Sequence, residues 1–287
     1  MQVTESKILA AVSGIYLAGL RLVEKQPDVR FQWKLKEDGT FITHLDLETQ
    51  RSLQDHLSDV FPNYRFIGEE DVPGERSLGL ISEHQPRIIL DPIDGTAAYA
   101  RGLNLFAISL AVIDAENRPL LAIIHLPAMG RWCAASFEGS SSRRYEVSIR
   151  DDGPRIQLVD RVVAQPAQWR LEDSYVYVSS NTHRILDLSA YQGKCRSFGA
   201  TAAHLALLLE GTIDPAAVVI TRYAVWDVAA GLALAEAWGF EIRDLGAGEM
   251  VTTTDILSGG SKTPALIVGC PGVLSALRSQ VRILERS

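Results

Sequence analysis

Asp91 and Asp94 lie in Arg87-Ile88-Ile89-Leu90-Asp91-Pro92-Ile93-Asp94-Gly95-Thr96, where an apolar stretch runs into two carboxylates, a glycine and a hydroxyl within six residues. Carboxylates this close repel unless a proton or a cation sits between them, and a hard divalent ion such as Mg²⁺ is the economical partner. Backbone N–H groups near Gly95 and Thr96, at the start of a helix, would attract a phosphate. The combination reads as a phosphate and metal site, although an Asp-Pro turn with an ordinary helix cap is the commoner use of such a segment taken alone. Two further acidic segments shift the balance. Phe66-Ile67-Gly68-Glu69-Glu70-Asp71 sets an acidic run behind a short apolar strand, and Tyr223-Ala224-Val225-Trp226-Asp227-Val228-Ala229-Ala230-Gly231 sets an acid at a helix start.

The elements that must carry these acids follow from apolar spacing. Ile88 to Leu90 predicts a buried strand that Pro92 ends, with Thr96 to Arg101 as the first turns of a helix. A long amphipathic helix is expected from Thr4 to about Lys25, and a second after Asp46 until Pro62. Phe106 to Ile113 and Leu120 to Leu126 predict an antiparallel hairpin, extended by Trp132 to Phe137 and Tyr145 to Ile149 around a loop at Gly139 to Arg144. Periodicity fades between Arg150 and Asp173, the expected passage between two lobes. Beyond it strand and helix alternate: strand 175–178, helix 183–190, helix 200–210, strand 216–220, helix 226–238, strand 265–268 and a last helix from Val273. The first half reads as α+β and the second as α/β.

Composition restricts the function classes. A chain of 287 residues that is 47% hydrophobic can bury a large core, and a net charge of −7 leaves no basic stripe for nucleic acid. Cys133, Cys195 and Cys270 are odd in number and far apart, so neither a disulfide framework nor a zinc ribbon is indicated, and a reduced cytoplasm is expected. The apolar window from Ala224 to Phe240 is broken by Asp227 and Glu236, so no membrane span is expected.

The run Asp91 to Gly102, with Gly68-Glu69-Glu70 upstream and Trp226-Asp227-Val228-Ala229-Ala230-Gly231 downstream, resembles the inositol monophosphatase family of Mg²⁺-dependent, often lithium-sensitive phosphatases. Thr43-His44-Leu45-Asp46, after Lys36-Glu37-Asp38-Gly39-Thr40, and Arg196-Ser197-Phe198-Gly199 add to a resemblance that covers nearly the whole chain. It implies a layered α-β-α-β-α sandwich with an α+β lobe over 1–150, an α/β lobe over 151–287 and the metals in the cleft between them. It also implies two or three Mg²⁺ ions, with Glu69, Asp91 and the carbonyl of Ile93 at one site and Asp91, Asp94 and Asp227 at another. Thr96 and Glu69 would hold and deprotonate the attacking water, with Asp46 bonded to the Thr96 hydroxyl. Asp94 and the N–H groups of Gly95 and Thr96 would face the phosphate, and Gly199, Ala200 and Thr201 would form a substrate wall. A homodimer is implied as well.

Substrate choice turns on departures from the pattern. Ile220 stands seven residues before Asp227, where inositol-selective relatives carry a glutamate that binds hydroxyls, and an aliphatic side chain cannot do so. Nearby, Arg222 and Tyr223 could bind a second anion or stack on a ring. Ala98 replaces a usual asparagine, and Ala97 stands where bisphosphate nucleotidases tend to carry lysine. Asp38 to Asp46 is similar to the start of histidinol-phosphate phosphatases. The expectation is hydrolysis of a small phosphomonoester, inositol monophosphate-like, with histidinol phosphate and 3′(2′),5′-bisphosphate nucleotides as alternatives. A protein of the same fold that mainly binds a macromolecule is the alternative of a different class. The intact acidic set argues against it, since clustered carboxylates without a cation destabilise a fold.

Overall fold

Apolar residues at helical spacing build two helices at the start of the chain, α1 (Glu5–Val29) and α2 (His44–Val60), with a small hairpin of β1 (Lys34–Leu35) and β2 (Phe41–Ile42) between them. The computed structural model describes residues 3–29, 32–36, 39–71, 84–159, 175–210, 215–259 and 265–284. A seven-stranded sheet follows: β3 (Arg65–Gly68), β4 (Arg87–Asp94), β5 (Ala107–Ile113), β6 (Pro119–Leu126), β7 (Arg131–Glu138), β8 (Ser141–Arg150) and β9 (Gly153–Val159), in that spatial order. Only β3 and β4 pair in parallel; the other neighbours are antiparallel.

The second sheet has the order β12-β10-β13-β15-β14, from β10 (Tyr175–Val178), β12 (Lys194–Arg196), β13 (Pro215–Thr221), β14 (Glu241–Asp244) and β15 (Ala265–Gly269). Its helices are α4 (Thr201–Glu210), α5 (Val225–Ala237), α6 (Thr253–Leu257) and α7 (Pro271–Arg278). Residue alternation along the strands sorts the core into layers. Ile88 and Leu90 of β4 pack with α1 and α2, whereas Ile89 packs with α4 and α5. Val218 and Ile220 of β13 also face α4 and α5, while Ala217 and Val219 face α7. The result is an α-β-α-β-α sandwich, with α4 and α5 as the shared middle layer.

Several details differ from the sequence expectation. Pro92 does not end β4. The strand continues to Asp94, which pairs with Ala107 across a register shift, so the proline sits at a bulge that needs no ladder donor. The helix after it, α3 (Thr96–Tyr99), is one turn. Instead of a helix at 183–190 there is a 3-10 turn (Thr182–Arg184) and a short strand β11 (Leu186–Asp187) that pairs with β16 (Arg282–Ile283). Residues 153–159 form β9, a half-exposed edge strand whose periodicity is weak because little of it is buried. The rest of the expected passage, 160–173, lies outside the described residues. Finally, α1 is by length and composition apolar enough to cross a membrane, against expectation. Ile8, Val12, Ile15 and Leu22 on one of its faces are buried in the core with α2 and the seven-stranded sheet, as in an amphipathic core helix.

Candidate active site

Parallel pairing of β3 and β4 places Gly68 opposite Leu90, so Glu69, just beyond the end of β3, comes beside Asp91, which is still within β4. The side-chain amide oxygen (Oε1) of Gln50 on α2 accepts from the Glu70 N–H at 2.9 Å and fixes the turn that carries Glu69. Ser109, paired with Asp91, donates to the Trp226 carbonyl at 3.3 Å and ties the start of α5 to the end of β4. These contacts bring carboxylate oxygens of Asp91, Asp94 and Asp227 within 4.8 Å of one another. Glu69 lines the same cavity, of about 260 Å³, as do Ile93, Gly95, Thr96, Gly199, Ala200, Thr201 and Arg222.

Each acid is held by backbone. Asp91 accepts from the Ile93 N–H (3.0 Å), Asp94 from the N–H groups of Thr201 (3.0 Å) and Ala203 (3.1 Å), and Asp227 from that of Ala224 (2.7 Å). Asp94 thereby spans the cleft from β4 to the first turn of α4, and Asp227 sits in the first turn of α5, where the helix dipole favours a negative charge. Burial still dominates. With the charge of Glu69 and then of Asp94 and Asp227, it pushes Asp91 well above the ordinary carboxylate range, and Asp227 is driven up by burial, Glu69 and Asp94. Asp94 rises to about 7 through burial, against the lowering N–H bonds of Ala203, Thr201 and Ala202. Carboxylates forced together and held by backbone form an all-oxygen donor set that fits a hard divalent cation such as Mg²⁺ better than zinc.

Beside the acids, the Thr96 hydroxyl lies 2.8 Å from Asp46 Oδ1 and 2.9 Å from the carbonyl oxygen of Ile93. Asp46 is fully buried and also accepts from the Thr43 hydroxyl (2.6 Å) and N–H (2.7 Å); burial raises it to about 6 even so. The left-handed Gly95 (φ 91°) lets the chain turn against α4, where a Cβ would stand 2.7 Å from that of Ala200.

Ile220 is not at the site. Its side chain is fully buried in the middle layer and Thr221 lines the cavity instead, because alternation along β13 turns the two residues to opposite faces. Lys36 had no role assigned from sequence, yet its ammonium donates to Glu69 and Glu70, each at 2.9 Å. Burial pulls the Lys36 pKa down, and the two carboxylates outweigh it and raise it; Glu70, buried beside Glu69, rises to about 7. Ser179, Ser180 and Asn181 form a second part of the wall. A Ser-Ser-Asn run directly after an apolar strand was the available signal, since ligands of α/β sheets gather at strand ends. His204 lines the cavity but is a packing residue: its Nε2 accepts from the Phe198 N–H at 3.0 Å, its ring stacks on Tyr177, and burial lowers its pKa to about 4. His183, in its 3-10 turn, is exposed and away from the cavity lining.

Residues 6–268 match the model of the inositol monophosphatase family. An inositol-1-monophosphatase of Mesorhizobium japonicum is 30% identical over 234 residues, 80% of each chain. A 3′(2′),5′-bisphosphate nucleotidase of Escherichia coli is 24% identical over 73% of this chain and 78% of its own. Among solved structures, the extragenic suppressor protein suhB of Bartonella henselae superposes with a TM-score of 0.73 at 23% identity, covering 96% of this chain and 98% of the other, and so shares the fold.

Proposed function

This chain belongs to the inositol monophosphatase family, of metal-dependent phosphomonoesterases, and on that footing we propose that it hydrolyses a small, inositol monophosphate-like ester with Mg²⁺. The observation that carries the reading is the convergence of Asp91, Asp94 and Asp227 from β4 and α5 on one cavity. Those three acids, with Glu69 and the Ile93 carbonyl, would hold the ions. Bound Mg²⁺ would neutralise phosphate charge and acidify a water.

The protein's own groups orient and deprotonate. The Thr96 hydroxyl directs its hydrogen to Asp46 or Ile93, which leaves an oxygen lone pair to accept from the attacking water. Asp46 acts through Thr96 as a positioning residue. Glu69, beside Asp91 at the cavity wall, takes the water's proton, and Lys36 holds the Glu69 carboxylate in place. Gly95 and Thr96 offer their N–H groups to the phosphate oxygens. The resemblance to an inositol-1-monophosphatase supports the substrate type.

Phosphate release from inositol 1-phosphate, histidinol phosphate and 3′-phosphoadenosine 5′-phosphate, measured with Mg²⁺ and with EDTA, tests this reading. Mg²⁺-dependent release from at least one of them is expected, and the ester turned over fastest names the substrate type. No Mg²⁺-dependent release from any of them would favour a binding protein.

A further inference from the structure

Arg222 is the only lysine or arginine among the described residues that line the cavity, and its backbone lies in the left-handed region at φ 48°. Apart from glycines, the other described residues with positive φ are Asn63 and Asn117, of a type that tolerates it. For an arginine the conformation is unfavourable, because its Cβ crowds the following carbonyl oxygen. Nothing within the described chain repays that strain, since no hydrogen bond or ion pair among the described residues engages the guanidinium and the residue is exposed. The backbone beneath it is anchored: the Thr221 N–H donates to Ser179 Oγ at 3.2 Å, and the Thr221 hydroxyl meets that of Thr182 at 3.3 Å.

Position on the wall decides what this arginine addresses. The reacting phosphate is assigned to Gly95 and Thr96 after β4, whereas Arg222 directly follows β13 and lines the cavity with the neutral Ser180 and Asn181. In a chain of net charge −7, a lone cation at this place can attract an anion only locally. The planar guanidinium matches a phosphate or a carboxylate equally well by paired hydrogen bonds. We propose that Arg222 is the specificity-determining residue of the cleft and selects phosphomonoesters that carry a second anionic group remote from the reacting phosphate. This rests on the phosphatase reading above.

The test compares wild type with Arg222→Gly, which accepts the left-handed backbone, on β-glycerophosphate, fructose 1,6-bisphosphate and 3-phosphoglycerate with Mg²⁺. Wild type should prefer the doubly anionic esters. The variant should lose that preference by about tenfold or more in kcat/KM, through KM, with a urea midpoint no lower than wild type. Loss for the bisphosphate alone identifies the second anion as phosphate, and loss for both esters extends it to carboxylate; either result supports the proposal. An unaltered ratio, or a wild type that prefers the neutral-tailed ester, overturns it. Absence of Mg²⁺-dependent turnover on all three would instead sink the phosphatase reading, and calorimetric binding of the same compounds would then measure the same ratio.

Discussion

On the β4 side of the cleft, Asp46, Asp91, Asp94 and Thr96 are buried and each is hydrogen-bonded, whereas on the β10 and β13 side Ser180, Asn181 and Arg222 are exposed. The first wall is over-determined. Its acids are fixed by strand register, a bulge and two helix starts, as a site that must hold charges in one geometry requires. The second wall is anchored through Ser179, Thr182 and Thr221 and extends the exposed side chains of Ser180, Asn181 and Arg222. This difference separates the part of the cleft that performs the reaction from the part that can choose the substrate without disturbing it.

The largest effect should come from breaking the first wall. Asp91→Asn keeps an acceptor for the Ile93 N–H but removes the charge shared among the three acids. Mg²⁺-dependent phosphate release should fall about 10³-fold, equivalent to about 4 kcal/mol of transition-state stabilisation. The midpoint of thermal unfolding in EDTA should rise, because repulsion is relieved; a lower midpoint would show that the acids do not strain the metal-free fold.

Ile220→Glu sharpens the comparison from the other side. If position 220 belonged to the second wall, a carboxylate there would improve hydrolysis of inositol phosphates. Buried between β13 and the middle helices, it should instead cost about 3–5 kcal/mol in urea unfolding. A variant as stable as wild type would return the side chain to the cleft.

The joint between the walls is a smaller target. In Gly95→Ala the new Cβ would meet Ala200 Cβ at 2.7 Å and the Leu105 carbonyl at 3.3 Å, at φ 91°. A loss of roughly 2 kcal/mol is expected, with a lower kcat as Asp94 is pushed from the N–H groups of α4. Unchanged kcat in a folded variant would mean that the spacing of β4 and α4 is not critical.

The first wall was legible in the sequence and much of the second was not, for a physical reason. Asp91, Asp94, Gly95 and Thr96 lie within six residues, and a turn that must satisfy buried carboxylates constrains its residue types. Thr43 and Asp46 were legible only through the family resemblance, since the second helix was expected after Asp46 and instead starts at His44 with Thr43 as its cap; the helical spacing of α1 and α2 reflects one buried face each. Lys36 meets Glu69 across 33 positions, and no local pattern encodes such a contact. Ile220 was misplaced because counting back from Asp227 gives position along the strand but not the face, which Val218 and Ile220 settle by packing under α5. The segment at 183–190 has helical spacing, yet Leu186 is taken into a strand by its pairing with Ile283, a tertiary override of local preference.

Titration offers the finest division between the walls. In the folded, metal-free protein Asp46 rises to about 6, Asp94 and Glu70 to about 7, and Asp91 and Asp227 are also raised. Unfolded carboxylates titrate near 4, so between about pH 4 and 7 the folded chain binds more protons than the unfolded one, and its stability falls as pH rises. His204 and His125 oppose this. Both are lowered to about 4 by burial, against an unfolded value near 6.5, so they stabilise the fold as pH rises from about 4 to 6.5 and add no slope above that. These five acids, together with Glu210 and Glu236, which burial also raises, outweigh the two lowered histidines and predict a net loss of stability in urea between pH 5 and 7.5 in EDTA. The decline should be clearest above pH 6.5, where the acids act alone. Saturating Mg²⁺, which binds the ionised folded cluster, should flatten or reverse the slope. Asp94→Asn should make it shallower even without metal. Stability that climbs from pH 6.5 to 7.5 in EDTA would mean that the β4 wall carries its charges without strain, and the contrast between the two sides of the cleft would then lose its electrostatic basis.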